Sequence, residues 1–332
     1  MRHLLCALIL AAFSGAAFAQ DVPPDPPTPV EPAPDAMLEV VKVQGNVWLI
    51  AGAGGNIAVQ AGDQGIVIVD TGANGLTDRV LEAVRGISTA PIRYVINTSI
   101  APQHVGGNGP IAILRGGAAG GERGATPAII AQENILNRMT RIGADAKTVF
   151  PSEAWPVDGY FAGRRSFTFN GEAIDVIHLP NAHSDGDSAV HFRGSNVLVA
   201  GDVYTTTSLP MVNTVLGGSY AGLLAGLNTL LDIAVPDDLA EGGTYIIPGH
   251  GRISDEADLV EYRDMVHIVG DRLTKVITTD RRTLDQVKAA RPLLGWEGRY
   301  SHPGWTTDMF LEAIYPEFAP AAIAPRQRTE RR

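Results

Sequence analysis

What most limits the folds open to this chain is a theme that appears twice along it: short β-rich runs cut by glycine turns, then segments with helical periodicity. The first set covers residues 38–43, 47–51, 57–60 and 66–70, separated by turn signals at Gly45-Asn46, 52–55 and 62–65. Runs this short, rich in β-branched residues and bounded by glycine, predict an antiparallel meander. A helix over 76–84, a buried strand over 92–97 and a helix over 131–141 are expected next, from their spacing of apolar residues. The second set predicts strands at 167–169, 173–178, 188–192 and 196–200, then a helix at 221–231 and a strand at 244–247. Strands then helices, in two halves, fit two sheets packed face to face with helices outside.

The flanks read differently. Arg2 and His3, the apolar run 4–13 and Ala17-Phe18-Ala19 have the layout of a signal peptide over residues 1–19, so the expected localisation is periplasmic or secreted. Residues 20–36 form a proline-rich linker, with seven prolines between positions 22 and 36 that favour an extended polyproline conformation. The main domain is expected over 37–280, and a C-terminal helical extension and tail over 281–332. In the main domain Ser254 is expected to cap a long helix with Asp255 and Glu256 in its first turn, and Leu259, Tyr262, Val266, Val269, Leu273 and Val276 form one apolar stripe along it. In the extension, shorter helices are expected at 283–290 and 305–315. Residues 106–124, rich in glycine and poor in core-forming side chains, are expected to be a long mobile loop.

Charge and composition narrow the function. A net charge of −10 argues against a groove for phosphate backbones, so no nucleic-acid partner is expected. No stretch past the N-terminus is long and apolar enough for a membrane span. The single cysteine, Cys6, lies inside the predicted leader, so a metal site in the mature chain must use histidine and carboxylate. Three of the eight histidines, His104, His183 and His250, stand where strands should end, each beside glycines that let backbone pack closely. Asp202 closes its predicted strand in the same way. Imidazole and carboxylate converging from four such loops would make a divalent-metal site with zinc as the favoured occupant. His178 and His191 fall inside predicted strands, and His267 lies off the apolar stripe of the long helix, so all three read as structural or solvated. The segment 301–305, with His302 and Trp305, reads as packing or as a lid.

Taken in order, Asp70-Thr71-Gly72, the run 97–108 (NTSIAPQHVGGN), the run 182–187 (AHSDGD), Gly201-Asp202 and Pro248-Gly249-His250-Gly251 resemble the metallo-β-lactamase superfamily. The resemblance spans Asp70 to Gly251 and, with the strand pattern, reaches back to about Leu38. It implies an α/β fold, an αββα sandwich of two mixed β-sheets flanked by helices, with a metal site at one edge used for hydrolysis. The chain departs from the family in the second motif, where His-x-His-x-Asp-His stands as Ser99-Ile100-Ala101-Pro102-Gln103-His104. By that carry-over the first metal site keeps only His183 and is expected to be empty or very weak. The second site keeps His104, Asp202 and His250, with Gln103 in place of a carboxylate. Asp70 and Gln103 are expected to support the ligands from outside the coordination sphere. Asp185 and Asp187 read either as turn caps or as fixing the His183 loop.

The resulting expectation is a secreted, mono-zinc hydrolase of a small molecule, attacking the carbonyl of a lactam, lactone, ester or thioester with metal-bound hydroxide. His104, His183, Asp202 and His250 are the candidate metal residues. His183 and Ser99 are the candidates for positioning water. The alternatives are a non-catalytic binding or accessory protein on the same fold that has lost its metal, and a metal-independent enzyme using the old cleft.

Overall fold

The computed structural model describes residues 37–114, 126–141, 150–239 and 242–319. The predicted signal peptide and linker, residues 115–124 of the expected loop and residues 320–332 of the tail lie outside the described residues.

Sheet 1 holds β1 (Glu39–Gln44), β2 (Val47–Ala53), β3 (Gly55–Gly62), β4 (Gly65–Val69), β5 (Ile92–Ile96), β6 (Ala128–Gln132) and β7 (Asp158–Tyr160), in that spatial order. The pairs from β1 to β4 are antiparallel and those from β4 to β7 parallel. Sheet 2 runs β12 (Tyr245–His250), β11 (Val197–Thr205), β10 (Ser188–Phe192), β9 (Glu172–His178) and β8 (Arg164–Phe169), antiparallel except for the parallel β11–β12 pair. Both sheets are therefore mixed. The helices are α1 (Thr77–Ile87), α2 (Pro102–Val105), α3 (Asn108–Ala112), α4 (Glu133–Met139), α5 (Tyr220–Leu231), α6 (Glu256–Leu273), α7 (Leu284–Ala290), α8 (Glu297–Tyr300) and α9 (Thr307–Phe318).

Alternation along the strands builds the layers. Val67 and Val69 of β4 point between the sheets, into a core shared with Ile174, Val176, Val190, Val197 and Val199 of sheet 2. Ile66 and Ile68 point the other way, onto Val80, Leu81 and Val84 of α1. Successive strand residues face opposite sides, so near-continuous apolar strands are what a sheet covered on both faces requires. On the far side of sheet 2, Leu198, Ala200 and Ile246 meet α5, α6 and the C-terminal helices. Val287, Leu293, Tyr300, Trp305, Phe310 and Ile314 belong to that same cluster, so residues 281–319 complete the outer layer of sheet 2.

Several local expectations are corrected. Residues 131–132 finish β6, and the helix starts at Glu133, because Ala131 is buried in sheet register with Gly159. Part of the expected 106–124 loop is helical, as α3. The cap of α6 is Asp255, whose side chain accepts from the Asp258 N–H at 2.9 Å; Ser254 instead bridges to Ile246 in backbone pairing. Trp305 is buried and its indole N–H donates to the Pro210 carbonyl at 3.2 Å, so the 301–305 segment packs. His178 and His191 lie in β9 and β10, and His267 is exposed on α6.

The C-terminal layer contains a chain of buried tyrosines, with ring centroids 5.2 Å apart for Tyr204 and Tyr262 and 5.6 Å for Tyr262 and Tyr300. Burial pushes the Tyr204 phenol up to about 12, and raises Tyr220, Tyr262 and Tyr300 as well. These phenols ionise near 10 in the unfolded chain. With the folded pKa raised, their contribution is complete below about pH 10 and is lost as pH rises through the folded values. Tyr204 alone accounts for roughly 2–3 kcal/mol across that interval. Urea unfolding is therefore expected to show a steep fall in stability between about pH 10 and 12; a flat profile there would mean these phenols are not buried as described.

Candidate metal centre

The site residues come from the loop after β4 (Asp70), the short helix α2 (His104), the loop after β9 (His183), the interior of β11 (Asp202) and the end of β12 (His250). Asp70 follows β4 and holds a left-handed backbone (φ 64°), an unusual conformation for a non-glycine residue. Its Oδ1 accepts from the Thr98 N–H at 2.8 Å, and its Oδ2 accepts from the Thr98 hydroxyl at 2.6 Å. Oδ2 also lies 2.8 Å from His104 Nδ1. His104 sits on α2, a single turn entered through Pro102, a residue whose fixed φ suits the first helical position.

Asp202 lies within β11, where the register against β12 is irregular. Gly201 has φ 56°, and a Cβ there would stand 2.7 Å from Thr98 Oγ1. A Cβ on Gly249 would stand 2.7 Å from the Gly201 carbonyl carbon. Glycine at both positions lets the two strand ends touch backbone to backbone, which brings Asp202 and His250 together.

The side chains then converge. Asp202 Oδ1 is 2.8 Å from His104 Nε2 and 3.3 Å from His250 Nε2, while Oδ2 is 3.7 Å from His183 Nδ1. His183 Nδ1 is also 3.6 Å from Asp187 Oδ1. Asp187 in turn accepts from the Ser184 N–H and hydroxyl, and Asp185 forms a two-pronged pair with Arg138, so both acids fix the His183 loop. Asp70, His104 and Asp202 are buried, and His250 is half-buried.

The charges are strongly coupled. Burial alone would lower the His104 pKa, but the carboxylates of Asp202 and Asp70 reverse this and hold it well above the usual histidine range. His183 behaves alike: burial lowers it, and Asp202 and Asp187 raise it on balance. For Asp202 burial acts upward, yet His104 and His183 keep the carboxyl well below the usual carboxylate range.

Three buried polar atoms here have no hydrogen-bond partner among the described residues: Asp202 Oδ2, His183 Nδ1 and His250 Nε2. Orphaned buried atoms of this kind call for a water or ion to satisfy them. One ligand atom each from His104, Asp202 and His250 lie within 4.8 Å of one another. Tetrahedral zinc, with bonds of about 2.0–2.1 Å, places neighbouring ligand atoms roughly 3.3 Å apart, close to the 2.8 and 3.3 Å separations of Asp202 Oδ1 from the two imidazoles. The donor set fits a borderline divalent cation. With Asp70 on Nδ1, His104 turns its Nε2 toward Asp202, the orientation that an outer carboxylate gives an imidazole able to bind a metal.

His183 lies within reach of Asp202 but outside the three-residue group. Ser99 is fully buried and its hydroxyl oxygen accepts from the Ala101 N–H at 3.3 Å, a local bond. Gln103, also buried, immediately precedes His104 on α2. Sequence reading missed Thr98, which anchors Asp70 with both its N–H and its hydroxyl; its place inside the second motif was the signal that could have found it. Asn56 was also missed, and nothing in its neighbourhood along the chain marks it.

No curated protein matches the sequence. Among solved structures, a metallo-beta-lactamase from Pontibacter korlensis shares 15% identity at a TM-score of 0.53, over 70% of this chain and 99% of its own. The inverting sec-alkylsulfatase Pisa1 from Pseudomonas sp. shares 17% identity at a TM-score of 0.61; 85% of this chain is covered, and it spans only 50% of that enzyme. The DIM-1 metallo-beta-lactamase shares 15% identity at a TM-score of 0.53, over 70% of this chain and 98% of its own. At such identities the likeness speaks for the fold, as an αββα sandwich. Residues 40–250 match the model of the metallo-beta-lactamase superfamily, and with both sheets and the site edge inside that span, the chain belongs to this superfamily.

Proposed function

We propose that this protein is an exported, metal-dependent hydrolase of a small molecule, holding one zinc ion through His104, Asp202 and His250. The observation that carries the reading is the meeting of these three side chains within 4.8 Å from distant parts of the chain, with buried donor atoms left unpartnered. When bound, zinc supplies a Lewis acid that polarises a carbonyl and lowers the pKa of water toward 7. Asp70 holds His104 with its Nδ1 engaged, so that Nε2 faces the site. His183, with Nδ1 unpartnered beside Asp202, is the residue placed to hold or move a proton during attack on a lactam, lactone, ester or thioester. Ser99 is a second residue for orienting water; its hydroxyl proton is free to donate while its oxygen accepts from Ala101. Export rests on residues 1–19, read as a signal peptide, with 20–36 as a tether.

A second reading has its own support. His104 lies in direct contact with both Asp70 and Asp202 at 2.8 Å, an arrangement that satisfies a protonated imidazole without a metal. Ser99, Ala101 and Gln103 replace three ligands of the family motif. On this reading the chain is a non-catalytic binding protein. Elemental analysis of the purified protein, with a screen of lactams, lactones and thioesters, separates the two. The hydrolase reading expects one equivalent of zinc and a lower melting temperature in chelator. Metal-free protein with unchanged melting, inactive on the whole panel, would leave the binding reading standing.

A further inference from the structure

We propose that Gly55 and Asn56, the first two residues of β3, are the positioning device for both imidazoles of the metal centre. The inference rests on the metal reading above and adds residues outside the motifs that define it. Asn56 is buried, and its side-chain Nδ2 donates to two backbone carbonyls, Pro248 in β12 at 2.9 Å and Gly251 just after it at 2.9 Å. Those carbonyls bracket Gly249-His250. One amide group therefore pins the backbone on both sides of a ligand from about 190 residues away along the chain, across the gap between sheets. From the opposite side, the Thr206 N–H donates to the His250 carbonyl at 3.2 Å. The segment is clamped between β3 and the end of β11.

Gly55 acts on the other imidazole by leaving space. A Cβ there would stand 2.8 Å from His104 Cε1, 3.1 Å from His104 Nδ1 and 3.1 Å from the Gln103 carbonyl oxygen. The β3 backbone thus forms a wall against the His104 ring on one side, while Asp70 holds Nδ1. Adjacent residues of one strand set the position of His104 by contact and of His250 by hydrogen bonding. Neither residue belongs to the three-residue ligand group, so both are positioning residues, and removing an outer-shell support of this kind typically weakens metal binding about 10- to 100-fold.

The test uses the purified protein and zinc alone, with affinity read by competition against a chromophoric chelator and stability by thermal melting. Asn56→Ala is expected to weaken zinc binding about 10- to 100-fold, with Asn56→Ser, which keeps one donor, falling between it and the wild type. Gly55→Ala is expected to weaken binding as well, by displacing the His104 ring. The control is Gln60→Ala on the same strand. Gln60 is equally buried, but its amide bonds Glu172 and Asn170, away from the site, so this variant should lose melting temperature and keep its zinc affinity. In a His250→Ala background, Asn56→Ala should have little further effect on zinc affinity, because the clamp works through His250. An Asn56→Ala variant that folds and binds zinc as well as Gln60→Ala overturns the proposal, as does full additivity with His250→Ala. If Asn56→Ala does not fold, Asn56→Ser decides in the same way. Wild-type protein that takes up no zinc overturns the metal reading itself and this proposal with it, an outcome distinct from a wild type that binds and a variant that binds equally well.

Discussion

His104→Ala is expected to be the most damaging single substitution in the site, with a loss visible before any metal is added. The imidazole separates two carboxylates, Asp70 and Asp202, that are 1% and 6% exposed, and it contacts each at 2.8 Å. Removing the ring leaves Asp202 facing Asp70 without the cation between them and opens a cavity. Breaking a buried ion pair by deleting one partner costs about 3–5 kcal/mol. For a chain of 332 residues that corresponds to roughly 4–8 °C in melting temperature. Urea unfolding of metal-free wild type and variant reads it directly.

The effect should depend on pH. His104 has a raised folded pKa, so its stabilisation is complete below the unfolded value and is lost as pH rises through the folded one. Asp202 has a depressed folded pKa, so its share is present above the unfolded value and is lost as pH falls through the folded one. The gap between wild type and His104→Ala is thus expected to be widest between about pH 4 and 6.5. A gap under about 1 kcal/mol throughout, the scale of an exposed pair, would show that these three groups do not form a buried charge network. Zinc uptake by the variant should be lost alongside.

Asp202→Asn is expected to separate metal binding from folding. The amide keeps the shape of the carboxylate and removes its charge, so His104 retains Asp70 and the fold loses only about 1–3 kcal/mol, the cost of imperfectly paired polar groups. If His104, Asp202 and His250 hold zinc as proposed, this change removes the one anionic ligand, and the affinity should fall by more than the 10- to 100-fold expected for an outer-shell partner. The imidazoles report the same change. Without Asp202, burial is opposed by fewer negative charges, so the pKa values of His104 and His183 should both drop. Histidine ring signals followed by NMR against pH would show this in metal-free protein. Unchanged zinc affinity in Asp202→Asn would remove Asp202 from the ligand set.

Much of the architecture was legible because it is written in local periodicity. Val67 and Val69 alternate with Ile66 and Ile68, and a strand covered on both faces needs just such a run. The stripe from Leu259 to Leu273 was equally plain, because helix geometry repeats every three to four residues. Boundaries were less so. Ala131 and Gln132 carry helix-compatible character, but pairing with Gly159 and Tyr160 of β7 decides in favour of strand. Ser254 looked like a cap from its residue type, yet its backbone is engaged with Ile246, leaving Asp255 to accept the helix N–H. Competition between a local preference and a tertiary partner settled both.

For the site, the sequence by itself determined which donors exist. It offered three histidines and an aspartate beside glycines at strand ends, and it lacked the ligands replaced by Ser99 and Ala101. Only the tertiary structure decided that His104, Asp202 and His250 meet, that His183 stays a step outside the group, and that Asp70 takes Nδ1 of His104. The physical reason is range. Strand and helix patterns arise from neighbours a few residues apart, whereas the distance between His104 and Asp202, or the hold of Asn56 on the His250 loop, depends on how two sheets pack across sequence separations of 98 to 195 residues. Glycines at 201 and 249 permit that approach by their lack of a side chain, and the packing of the two sheets brings it about.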